Sequence, residues 1–123
     1  MGRAFRSLAV AAARAADDKK GEDITLLNPG RAHPLADYLL IITAGSRPHM
    51  ESLDRAISEA LASRKIRGCR RGRPASDSWR VLDFGGLMVH LMAPQSRDFY
   101  ALDKLYGEAP KVRWREKTNG RPH

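Results

Sequence analysis

Apolar residues recur along the chain with two different periods, and these periods predict where helices and strands lie. Helical spacing predicts three helices, at 3–20, 46–64 and 96–106. Short apolar or alternating runs predict five strands, at 23–27, 37–44, 66–70, 79–83 and 87–92. The order is therefore αββαβββα. We predict an α/β domain with a mixed sheet of about five strands and helices packed on it.

Glycines and capping residues delimit several of these segments. Gly21 and Gly107 are predicted to end the first and third helices. Ser46 is predicted to be the N-cap of the second helix. The stretch 84–86, Phe-Gly-Gly, is typical of a tight hairpin between the fourth and fifth strands. The stretch 72–78 is predicted to be a polar loop.

The length and charge of the chain indicate one domain with an anionic partner. Its 123 residues suit a single domain, which we place at 1–110, followed by a basic tail at 111–123 that we expect to be disordered. The formal net charge is +8, from 22 basic and 14 acidic residues. Such an excess favours a polyanionic partner: nucleic acid, a ribonucleoprotein surface or an anionic membrane.

The composition also bears on the cellular compartment. Cys69 is the only cysteine, so the chain cannot form an internal disulfide, and a reducing cytoplasm is expected. The longest apolar run, 38–44, is far shorter than the ~20 residues that span a bilayer. Residues 1–16 contain three arginines and no acidic residue, as mitochondrial presequences do. We interpret them as the first helix because their pattern continues into the next segment, and we expect a bacterial cytoplasmic protein rather than an organellar one.

No catalytic constellation is evident in the sequence. It contains no HExxH, P-loop, GxGxxG or GxSxG motif. Its four histidines, at 33, 49, 90 and 123, are scattered, so we predict no metal site and no cofactor. His90 lies within the fifth strand, where we expect a hydrogen-bonded structural residue rather than a ligand.

Gly45-Ser46 leaves an enzymatic alternative open. A glycine and a serine between a buried strand and a helix can cradle a phosphate, but they more often form an ordinary strand-to-helix turn, which is the interpretation we favour. Nucleotidyl transfer would need carboxylates on a neighbouring strand to hold magnesium. The predicted third strand has none, and Asp77 and Asp83 do not form an Asp-x-Asp pair.

Two sets of side chains are candidates for binding a partner. Six basic residues lie within 64–73, among them Arg70, Arg71 and Arg73; they are either a solvated surface or contacts to a phosphate backbone. Trp79 follows a polar loop, and Tyr100 falls outside the predicted apolar stripe of the third helix, formed by Phe99, Leu102, Leu105 and Tyr106. Each of the two aromatics is either a residue at the rim of the core or an anchor for a partner.

Several segments between about residues 8 and 110 together resemble the Iojap family of ribosomal silencing factors. Their order and spacing carry the resemblance. The matching stretches are Asp17-Asp18-Lys19-Lys20-Gly21-Glu22-Asp23-Ile24, Ala36-Asp37-Tyr38, Ile41-Ile42-Thr43-Ala44-Gly45-Ser46-Arg47, Trp79-Arg80-Val81-Leu82-Asp83-Phe84-Gly85, Val89-His90-Leu91-Met92 and Arg97-Asp98-Phe99-Tyr100-Ala101-Leu102-Asp103-Lys104-Leu105-Tyr106-Gly107.

The resemblance implies a nucleotidyltransferase-like fold without catalytic carboxylates. It also implies binding to the fourteenth protein of the large ribosomal subunit and a steric block of small-subunit joining, which represses translation. Trp79 and Tyr100 match the family's contact positions, and homodimers are expected. The chain departs from the family in having Tyr106 where a tryptophan is usual, and a strongly basic segment before Trp79. The alternatives are a degenerate nucleotide-binding enzyme and a general RNA-binding protein.

Overall fold

The computed structural model describes residues 2–30, 36–64, 70–75 and 78–115, with side chains described except at 2–4, 70–75, 99, 100 and 103. Its helices and strands are α1 (Gly2–Asp18), β1 (Glu22–Leu27), β2 (Tyr38–Thr43), α2 (Arg47–Ala62), β3 (Arg70–Ala75), β4 (Trp79–Asp83), β5 (Leu87–Met92), α3 (Pro94–Tyr100) and α4 (Leu102–Leu105).

The strands form one mixed sheet in the order β1-β2-β5-β4-β3. Among the described strands, β2 and β5 are the one parallel pair, and the other neighbours are antiparallel. All six residues of β2 are buried, which explains why this strand is continuously apolar in sequence. The predicted α/β class with a mixed sheet is confirmed.

Helices α1 and α2 pack against each other and cover one side of the sheet, which we call the first face. Small residues on α1, such as Ala9 and Ala16, are fully buried and let the helix approach closely. Large side chains from α2, such as Leu53 and Ile57, fill the space between helix and sheet. This layer holds the main hydrophobic core of the described residues.

An ion pair ties α2 to the fourth strand on the first face. Arg80 Nη1 lies 3.0 Å from Asp54 Oδ2, and the Asp54 side chain is only 9% exposed. Asp54 Oδ1 also accepts a hydrogen bond from the Ser58 hydroxyl at 3.2 Å. Both carboxylate oxygens are therefore satisfied, as a buried charge requires.

The opposite side of the sheet, the second face, carries a smaller core. Among the described residues, four buried side chains form it: Leu27, Leu39, Ile41 and Met92. The partly buried residues packed against it are Trp79, Met88, Leu102, Tyr106 and Ala109. Its cover therefore includes the short helix α4 and the turn that follows.

Most predicted boundaries agree with the structure within a few residues. The N-cap is confirmed, because the Ser46 hydroxyl accepts a hydrogen bond from His49 N at 3.1 Å. Gly21 follows α1 as predicted, but the left-handed residue is Lys20, with φ 63°. Gly21 is needed for space instead, since a Cβ there would lie 2.8 Å from Ile42 Cγ2.

Two element predictions are wrong. The third strand is 70–75 rather than 66–70, so it occupies part of the predicted loop; 66–69 lie outside the described residues. The predicted helix 96–106 is divided into α3 and α4 at Ala101, whose φ is 52°. Leu105, assigned to the buried stripe, is 69% exposed, so the stripe predicted for one continuous helix does not describe this segment.

The predicted domain boundary at residue 110 is also too early. Val112 N donates to Leu26 O at 2.8 Å, and Arg14 Nε donates to Trp114 O at 2.9 Å. Val112 and Trp114 belong to the core of the first face. Residues 111–115 therefore extend the fold rather than start a tail, while 116–123 lie outside the described residues.

Candidate functional site

Trp79 lies at the edge of the core on the second face. It is the first residue of β4 and stands opposite Met92 of β5. A backbone hydrogen bond from Ala93 N to Ser78 O, 2.8 Å long, closes the end of this strand pair. The side chain packs against the small core and remains partly exposed. Trp79 is therefore a rim residue that also presents aromatic surface to solvent.

A buried histidine contacts the indole of Trp79. Trp79 Nε1 donates a hydrogen bond to His90 Nδ1 at 3.0 Å, and the two ring centroids are 5.8 Å apart at an angle of 44°. His90 is 8% exposed and lies on β5 opposite Val81. The prediction that His90 is a hydrogen-bonded structural residue is confirmed.

Tyr100, the second predicted contact residue, ends α3. Its side chain lies outside the described part of the structure. Its predicted position off an apolar stripe assumed one continuous helix, and the break at Ala101 removes that argument. The backbone nevertheless places Tyr100 two residues before Leu102, which packs on the same small core as Trp79.

Arg97 fixes α3 to the second face, a role that the sequence analysis did not identify. Its Nη1 donates to Thr43 Oγ1 at 3.0 Å and to the carbonyl of Asp23, and its Nη2 donates to Thr25 Oγ1 at 2.9 Å. One guanidinium thus joins α3 to β1 and β2. The partners are 54 to 74 residues away in sequence, so no local pattern could have indicated them.

The Gly45-Ser46 turn is accounted for by helix capping. Gly45 N donates to His49 Nδ1 at 2.9 Å, in addition to the bond between His49 N and the Ser46 hydroxyl. His49 Nε2 lies 2.8 Å from the carbonyl oxygen of Lys19, which connects this turn to the end of α1. The ordinary strand-to-helix turn is the interpretation that these bonds support, and the role of His49 in it was not predicted.

Arg70, Arg71 and Arg73 all lie on β3, the edge strand of the sheet. Arg70 stands opposite Asp83 and Arg71 opposite Leu82 in the antiparallel pairing with β4. Their side chains lie outside the described part of the structure. The structure therefore brings the three residues onto one strand beside the strand that begins with Trp79.

Two absences concern residues 2–30, 36–64, 70–75 and 78–115, the described part of the chain. Within them, no group of three or more His, Cys, Asp or Glu side chains is arranged to hold a metal ion. No helix in this part of the chain is long and apolar enough to cross a membrane.

The sequence and the fold both match known proteins. The family model described as "Ribosomal silencing factor during starvation" matches residues 3–123. The ribosomal silencing factor of Bacillus subtilis is 32% identical over 110 residues, which cover 85% of this chain and 89% of that protein. The chain belongs to the ribosomal silencing factor family.

Two other relatives carry organellar names. The mouse protein named "Mitochondrial assembly of ribosomal large subunit protein 1" is 27% identical over 92 residues, 72% of this chain and 40% of that protein. The maize protein named "Protein Iojap, chloroplastic" is 31% identical over 106 residues, 86% of this chain. The chain spans less than half of the maize relative, 46%.

A solved crystal structure supports the fold. The structure of a Chromobacterium violaceum protein superimposes with a TM-score of 0.76 at 25% sequence identity. The superposition covers 83% of this chain and 85% of that one.

Proposed function

We propose that this protein binds the large ribosomal subunit through its fourteenth protein and sterically prevents the small subunit from joining. Membership of the silencing family supports a role in repressing translation. The name of the mouse relative supports the large subunit as the target. The mechanism is occlusion, so it needs no turnover, nucleotide or metal.

The observation that carries this proposal is the placement of Trp79. A tryptophan that is partly exposed and held by its neighbours has the properties of an interface anchor, because it offers a large apolar area at low conformational cost. Tyr100 ends a helix that Arg97 fixes to the same face. We propose that both aromatic residues contact the ribosomal protein.

The test measures subunit joining by light scattering with purified ribosomal subunits. Wild-type protein should suppress joining, and Trp79→Ala and Tyr100→Ala should each lose the effect. Truncating an anchor costs at least ~2 kcal/mol of binding, or roughly a thirtyfold loss of affinity for large subunits.

Trp114→Phe is the matched control. Trp114 belongs to the core of the first face, so its replacement lowers stability without touching the second face. It should still block joining. Circular dichroism and thermal melting must show that every variant is folded. If the two folded alanine variants block joining as well as wild type, the contact surface lies elsewhere on the protein.

A second part of the proposal concerns ribosomal RNA. The net charge of +8 supports attraction to phosphate. We propose that Arg70, Arg71 and Arg73 contact the RNA backbone beside the Trp79 site. Replacing all three with alanine should weaken binding to large subunits and reduce its salt dependence, because fewer counterions are released. Unchanged affinity and slope across a salt series would assign these arginines to a solvated surface.

The nucleotidyltransferase-like ancestry of the fold also remains a proposal. The mixed sheet and the strand-to-helix turn at Gly45 support it, while β3 contains no carboxylate to hold magnesium. We expect no magnesium-dependent binding of nucleoside triphosphates in calorimetric titrations. Micromolar binding would instead favour the enzymatic alternative.

The last part of the proposal concerns the cellular location of the protein and its oligomeric state. Bacterial relatives support a bacterial cytoplasmic protein. We propose that it forms a homodimer when it is not on the ribosome. Light scattering coupled to size exclusion should then give twice the 13.7 kDa mass of the chain.

A further inference from the structure

The hydrogen bond between Trp79 and His90 has only one chemical form. An indole N–H can donate but not accept, so His90 Nδ1 must be the acceptor. This nitrogen therefore carries no proton, and the His90 ring is neutral with its proton on Nε2. The indole donor of Trp79 is thus already used inside the protein.

The backbone fixes the position of this acceptor. His90 lies in the interior of β5, between the parallel strand β2 and the antiparallel strand β4. Strand pairing aligns Val81 with His90 and Met92 with Trp79, so Trp79 and His90 are diagonal neighbours on the second face. A buried ring in a central strand has little freedom to move, and its nitrogen is a fixed point for the indole.

We propose that His90 is the positioning residue for Trp79, and that it turns the aromatic ring, rather than the indole N–H, toward the partner. The inference rests on the proposed function, in which Trp79 contacts a ribosomal protein. It adds that the partner surface at Trp79 is apolar and provides no acceptor for the indole N–H. It also assigns a binding role to a residue that need not touch the partner.

The energetic reason is pre-organisation. A free tryptophan side chain loses rotational freedom when a partner immobilises it, which lowers affinity. The hydrogen bond to the buried His90 restricts the Trp79 side chain during folding, so binding a partner costs less side-chain entropy. Any partner group that competed for the indole N–H would have to leave His90 Nδ1 buried without its donor, which is unfavourable.

The test combines two variants with two measurements. His90→Leu removes the acceptor at similar size, and His90→Asn places its Oδ1 near the position of Nδ1. The first measurement is the ¹⁵N-resolved NMR signal of the Trp79 indole N–H, assigned by its persistence in Trp114→Phe. The second is affinity for the isolated fourteenth large-subunit protein.

The expected results differ between the two variants. In His90→Leu, the Trp79 indole signal should move upfield and exchange faster with water, and affinity should fall roughly tenfold, which is about 1.4 kcal/mol. His90→Asn should restore the signal and bring affinity to within about threefold of wild type. His49→Leu is the matched control: it removes a histidine that bonds α2 to the end of α1, so both readings should stay unchanged.

The wild-type protein gives a reading that does not depend on the folding of a variant. On addition of the ribosomal protein, the Trp79 indole N–H should keep its hydrogen-bonded shift and its slow exchange. A partner that captured this N–H would change both, and that result overturns the proposal.

The outcomes separate this inference from the proposed function. Loss of binding in Trp79→Ala with wild-type binding in folded His90→Leu rejects positioning by His90 and leaves the contact site intact. Wild-type binding in Trp79→Ala rejects the contact site itself, and the role of His90 in binding with it.

Discussion

The two faces of the sheet are built in different ways. On the first face, two long helices, α1 and α2, bury a cluster of twenty described residues. On the second face, the described buried cluster has four residues, and the helices beyond β5 have seven and four residues. Polar contacts such as those of Arg97 replace apolar area there. We infer that the first face supplies most of the stability, whereas the second face leaves Trp79 partly exposed.

The largest expected loss of stability comes from a comparison of two variants, one on each face of the sheet. Leu53, on the buried side of α2, is fully buried. Leu53→Ala should lower the free energy of unfolding by about 2–5 kcal/mol. Met88 is only partly buried on the second face, and Met88→Ala should cost about 1 kcal/mol. Urea unfolding followed by circular dichroism measures both. Equal losses would show that the two faces contribute alike to stability.

Arg97→Met tests the polar attachment of the second face. The substitution keeps an unbranched apolar side chain but removes the hydrogen bonds to Thr25 and Thr43, and it should cost about 1.5–2 kcal/mol. Hydrogen exchange should speed up in 94–105 and stay unchanged in α2. Equally faster exchange in 94–105 and in α2 would contradict a local role for Arg97.

Gly86→Ala tests how far the packing of the first face extends. A Cβ at Gly86 would lie 2.5 Å from Cγ of Phe5 on α1, so the variant should be about 1–2 kcal/mol less stable. In the background of Phe5→Ala, the same substitution should cost much less, because the opposing ring is gone. A double-mutant cycle in thermal melting checks this, and additive losses would mean that the contact is not the cause.

The smallest expected effect concerns the start of α2. Ser46→Ala removes the acceptor for His49 N and should cost about 1 kcal/mol. Ser52→Ala, inside the same helix, is the control and should be neutral or slightly stabilising, because alanine is the better helix former. If chemical denaturation gives the same stability for both variants, the cap contributes nothing.

The strongest local patterns predicted the elements around the first face. β2 and β5 are apolar runs flanked by turns, and α2 combines an apolar stripe with a serine cap. In these segments, local preference and burial agree. The sequence analysis predicted the third strand at the wrong residues. An edge strand pairs on one side only, so it needs fewer apolar residues, and the composition of Arg70–Ala75 resembles that of a loop.

Features that depend on distant contacts were not predictable. Ala101 adopts a left-handed conformation with no glycine to indicate it, next to a helix that Arg97 fixes to β1 and β2. Val112 and Trp114 are two apolar residues in a basic stretch, too few to mark a core segment. The site was partly predictable: Trp79 was singled out by its position, but its bond to His90 follows only from the register of β4 and β5.

The position of β5 has a consequence for how the protein is made. β5 is the last strand of the described chain to be synthesised, yet it lies in the middle of the sheet, between β2 and β4. A nascent chain that ends before Leu87 contains both strands of the β1–β2 pair and both strands of the β3–β4 pair, but it lacks β5, the strand that joins the two pairs. Because an isolated two-stranded ribbon is only marginally stable in water, the sheet forms late. A partly synthesised copy therefore has neither the acceptor nor the sheet that hold Trp79, and the proposed binding to the ribosome should arise only once the final third of the chain is complete.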